Sequence, residues 1–220
     1  MDLPQINFEN LKITVANSKQ ADEILKNAAQ NRANQVFEQA VEELQQNFEE
    51  SPITLELEGG IESKNISNTL MGGDEPESLY AFIGFPRGEN PTQIIREQLN
   101  INVDGGPQIK FAGKESGKNV YKFEISAPDL IKIYEKTPLP WAPGLSWAEG
   151  IEKGIPGFNH FLAFFTNKSN SRSGGGLQVK NEMRGNSYIP PAYGYLSNMV
   201  DDFLMKIRQY HTQGFRRNKR

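Results

Sequence analysis

The chain has 220 residues, enough for a sizeable core, yet only 37% of them are hydrophobic, so much of it must be surface, arm or interface. It has no cysteine, which excludes disulfides, thiolate metal sites and cysteine nucleophiles, and no apolar run nears the ~20 residues of a membrane span. The net charge of -3 conceals an asymmetry: residues 38–50 hold five glutamates and no base, and residues 206–220 hold six basic side chains and no acid.

Residues 1–17 place Ile6, Phe8, Leu11, Ile13 and Val15 among polar neighbours, the pattern of an extended arm or edge strand. The start lacks the basic-then-apolar layout of a secretion signal, so a cytoplasmic origin is expected. From residue 18 to about 48 the period changes. Ile24, Leu25, Ala28, Ala29, Ala33, Val36, Phe37, Ala40, Val41, Leu44 and Phe48 recur at three- and four-residue steps, predicting one helix of roughly 45 Å. Ser51-Pro52 ends it, because proline disfavours helical geometry in the residue before it.

Ile53 to Glu58 alternates as a short strand would, residues 63–70 suggest a helical turn, and Leu79 to Phe85 reads as a central aromatic strand. Pro91 opens a small amphipathic helix with Asn90 as its cap. Residues 108–111 and 120–125 predict a hairpin joined by the polar segment 113–118, with Tyr121, Phe123 and Ile125 facing inward. Residues 128–136 predict another short helix.

Residues 141–157 hold both tryptophans, four glycines and two prolines. Ser146 followed by Glu149 has capping-box spacing, predicting a helix over 147–153 that Gly154 stops. Residues 158–166 and 177–183 flank a flexible tip, 167–176, and Pro190-Pro191 introduces a last helix through Tyr193, Leu196, Val200, Phe203 and Ile207. The expected organisation is an arm at 1–17, one domain over 18–210 and a basic tail at 211–220.

Catalytic patterns are missing. His160 and His211 have neither metal-ligand nor triad spacing, and 113–118 misses a phosphate loop by one residue between its glycines. Glu149 and Glu152 share a predicted helix, whereas paired acid-base carboxylates come from separate elements flanking a cleft. No catalytic, cofactor-binding or metal-binding residue is therefore expected. The tail residues Arg216, Arg217, Lys219 and Arg220 could lie along phosphates, which leaves a nucleic-acid-binding accessory protein as the alternative function.

The order of elements resembles the small neck and tail-completion proteins of tailed bacteriophages, in which a Tyr/Trp-Ala-x-x-x-Glu-x-Gly segment precedes a strand and an aromatic-Pro-Ala motif. Trp147-Ala148, Glu152 and Gly154 match the first pattern, and Tyr188-Ile189-Pro190-Pro191-Ala192 is similar to the second. The threonine-glycine-x-leucine usual after the long helix is not cleanly present, and residues 86–136 look like an insertion. The resemblance implies an α+β fold, with a curved, mostly antiparallel sheet against the long N-terminal helix, a C-terminal helix and extended arms. It also implies a ring of copies in the virion between head connector and tail tube, doing no chemistry and letting DNA pass.

The expected interface residues are Trp141, Trp147, Glu152, Gly154, Glu42, Glu43, Arg172, Gly174, Gly175 and Gly176. The acidic row of one copy would face basic residues of the next. Partners would be sibling copies and neighbouring neck, connector or tail-tube proteins, with non-specific DNA contact and no membrane.

Overall fold

A computed structural model describes residues 19–70, 78–100, 106–115, 118–153, 160–163, 177–180 and 194–216. The fold class is α+β. The described strands pair two by two in three antiparallel ladders, so short ladders stand where one curved sheet was expected. Contacts divide the chain into two compact units, Met1–Glu43 with Asn100–Pro128 and Asp202–Arg220, and Leu44–Leu99 with Asp129–Asp201.

In the first unit, α1 (Lys19–Glu49) realises the long helical period. Phe37, Ala40 and Val41 are buried, and the Phe37 ring meets Phe203 of α7 (Tyr195–Arg216) edge-on at 6.1 Å. The Glu43 carboxylate pairs with the Lys206 ammonium beside this contact. α7 runs through His211, so the last helix continues into the segment expected to be tail.

Strands β1 (Gln108–Glu115) and β2 (Lys118–Glu124) form the expected hairpin, with a longer ladder than expected. An irregularity between Phe111 and Gly113 absorbs an extra residue, and pairing then continues to Glu115 opposite Lys118. Tyr121 and Phe123 are buried as the alternation requires, and the Tyr121 hydroxyl donates to Asp22 Oδ2 at 2.6 Å.

The second unit departs from expectation at two places. Residues 53–58 are helix α2 (Pro52–Glu58), not a strand. Pro52 stands at its first position, where its missing N–H is no loss, and Ile53 and Leu57 share the buried face while Leu55 stays 47% exposed. The period of two was accidental; the period of four carries the burial. Residues 79–83 are likewise helix α3 (Leu79–Ile83), not a central strand.

Ser78 caps α3 by accepting the Ala81 N–H at 3.2 Å, and Gly84 closes it in the left-handed region at φ 84. All five α3 residues are buried, so no polar face betrays a helical period. Between α2 and α3, a 3-10 turn covers Gly60–Glu62, in place of the helical turn expected at 63–70.

The remaining described elements are α4 (Gln93–Leu99), α5 (Leu130–Glu135), β3 (Pro138–Leu139), β4 (Ala142–Ser146), α6 (Trp147–Lys153), β5 (His160–Ala163) and β6 (Leu177–Lys180). They follow the reading except for the β3–β4 pair, which was not expected. Ser146 Oγ accepts the Glu149 N–H at 3.0 Å, the first half of the capping box; the Glu149 carboxylate turns instead to Lys153 at 2.7 Å. β5 pairs with β6 on either side of the glycine-rich tip, which itself lies outside the described residues.

Candidate functional site

Two buried glutamates stand out first. Glu56 on α2 is fully buried; its Oε1 accepts the Leu79 N–H at 2.6 Å, and its Oε2 accepts the Ser67 N–H at 3.0 Å and the Ser67 hydroxyl at 2.5 Å. Glu152 on α6 is 5% exposed and binds the start of α7: it accepts from the Leu196 and Ser197 amides, and from Ser197 Oγ at 2.6 Å. Glu56 thus satisfies the first amide of α3, and Glu152 the first amides of α7, groups that have no partner within their own helix.

A third cluster joins three helices. The Arg96 guanidinium bridges Glu49 at 2.5 and 2.8 Å and Glu58 at 2.5 Å, and lies over the Phe48 ring at 5.7 Å. The hydrogen bonds from Arg96 hold the Glu49 carboxyl below its ordinary value, and Glu49 raises Arg96 in turn. Tyr195 is fully buried with its hydroxyl 2.6 Å from Thr54 Oγ1, and burial pushes its phenol well above the ordinary range. Burial does the same to Tyr134.

These groups have helix caps, ion pairs or packed rings as their partners. Among the described residues, no group of three or more His, Asp or Glu side chains is placed to hold a metal ion, and no helix is long and apolar enough to cross a membrane.

The expected interface residues fall into three groups. Trp147 is 2% exposed and meets Phe85 edge-on at 5.5 Å, so it is core; Glu152 is the buried cap just described. Half-buried Trp141 donates its indole N–H to the Ile83 carbonyl at 2.9 Å, tying the β3–β4 connection to the end of α3. In this chain those three therefore hold unit two together. Glu43 pairs with Lys206 and Glu49 with Arg96, so part of the acidic row is neutralised internally, while Glu38 and Glu42 remain exposed. Gly154, Arg172, Gly174, Gly175, Gly176, Arg217, Lys219 and Arg220 lie outside the described residues, and Arg216 ends α7.

Two features of the first unit were missed in the sequence. Among the described side chains of α1, none between Asp22 and Val36 is buried, and Ile24 is 64% exposed. Next to this stretch is a cleft of about 610 Å3 between α1 (Lys26, Gln30, Asn34, Phe37, Glu38) and residues 106–109. Gln30 spans it, its Nε2 donating to the Pro107 carbonyl at 2.5 Å and to Asn34 Oδ1 at 2.8 Å. The four-residue spacing of Lys26, Gln30, Asn34 and Glu38 was legible as a row on one helix face; the opposite wall was not.

No protein-family model, curated protein or solved structure matches this chain.

Proposed function

We propose that this chain is a structural subunit of a tailed-phage virion, forming a ring in the neck or at the head-proximal end of the tail, where it joins the head connector to the tail and lets DNA pass. The observation that carries the reading is the first half of α1, where none of the described side chains between Asp22 and Val36 is buried. A long helix draws most of its stability from burying one face, and among the described residues of this helix full burial begins only at Phe37. Neighbouring copies of the same helix are the covering that a closed ring supplies.

The internal use of Glu56, Glu152 and the Arg96 cluster supports a role without chemistry: the two buried glutamates and the partly exposed Arg96 pairs hold helices together. Native mass spectrometry and electron microscopy of the purified chain, with mass spectrometry of purified particles, test the proposal. The expected result is a closed ring of fixed copy number and the same chain in the virion. A monomer at all concentrations, absent from particles, would refute it. Salt-dependent retention of DNA by the monomer would turn the assignment to the nucleic-acid alternative.

A further inference from the structure

The cleft beside α1 has the chemistry of a site for an extended peptide. Lys26, Gln30 and Asn34 stand in a row about 12 Å long on one helix face, and Gln108 faces them from β1. Gln30 gives its two Nε2 protons to Pro107 and Asn34, which leaves the Gln30 carbonyl oxygen, the Asn34 amino group and the Gln108 carboxamide to meet peptide groups. Half-buried Ile109, with the small exposed edge of Phe37, supplies the apolar part of a mostly polar cleft, and exposed Glu38 stands at its end.

A strand with apolar residues at alternate positions would lay one face on that apolar part and keep the other at the polar rim. The sequence of this chain contains such a segment: Leu11, Ile13 and Val15 alternate with Lys12 and Thr14, five residues that span about 17 Å when extended. We infer that the cleft receives the Leu11 to Val15 segment of a second copy, with Leu11, Ile13 and Val15 against Phe37 and Ile109 and the Lys12 ammonium beside Glu38. The inference rests on the assembly reading and assigns it a contact: an exchanged arm between neighbouring copies.

Charge exchange in the full-length protein tests it, read as the association constant from sedimentation equilibrium and, separately, as the unfolding midpoint. Lys12→Glu and Glu38→Lys should each weaken association about threefold, and the double variant should restore it. Ile13→Asp should weaken association about tenfold or more, with the unfolding midpoint unchanged at concentrations where the chain is monomeric. Oligomers unaffected by all four variants would overturn the inference and leave the assembly reading standing. A wild-type chain that never associates would overturn both. Rescue seen only in a concentration-independent unfolding midpoint would place the segment in the cleft of its own copy and overturn the exchange.

Discussion

At the scale of single residues, the buried carboxylates decide most. Glu152 supplies acceptors to two amides and a hydroxyl, and removing it leaves the buried Leu196 amide and two half-buried Ser197 donors without their acceptor. Glu152→Ala is expected to lower the unfolding free energy by about 3 kcal/mol, and Glu152→Gln by less, because one carbonyl oxygen remains; urea midpoints check both. Tyr195 gives a pH signature. Its folded value is raised above the ordinary 10.0, so the folded state holds the proton more tightly, and the associated stability is intact below that value and lost as pH rises beyond it. Denaturant midpoints should begin to fall near pH 10 and keep falling above it, and Tyr195→Phe should flatten that fall.

At the scale of elements, caps rather than propensities fix what the short segments become. α3 is built from aromatic and branched residues that favour strands, yet Ser78 and Glu56 satisfy its first amides and Gly84 turns the chain out of it. Gly84→Ala forces a side chain into the left-handed region and should cost about 1 kcal/mol; Ser78→Ala and Ser146→Ala should each cost a similar amount. Thermal unfolding of the three variants measures this. A neutral Gly84→Ala would mean that Gly84 does not set the end of the helix.

At the scale of the whole molecule, acid stability should depend on the Arg96 cluster. The folded value of Glu49 is depressed, so its contribution is complete above the ordinary 4.5 and disappears as pH falls through the lowered folded value. Unfolding midpoints followed below about pH 4.5 should show this loss, and Arg96→Met should remove that part of the pH dependence. Raised salt should act only weakly on these partly exposed pairs within one chain, and more strongly on any association held by Glu38 and Glu42. A salt titration of the oligomer mass separates the two.

The sequence by itself determined the long helix, the hairpin over 108–124, the capped helix after Ser146 and the last helix. Each has a period or an end signal written in adjacent residues, and local signals survive without knowledge of neighbours. It misassigned α2 and α3, since a short apolar run has too few turns to reveal its period, and the partners that choose between helix and strand are distant in sequence. Glu56 reaches Leu79, and Glu152 reaches Ser197. Only the tertiary structure could turn an expected interface glutamate into a cap, place Trp147 in the core and open a cleft beside the row from Lys26 to Asn34. Such roles depend on which groups burial brings together, and burial is a property of the folded chain rather than of any stretch of it.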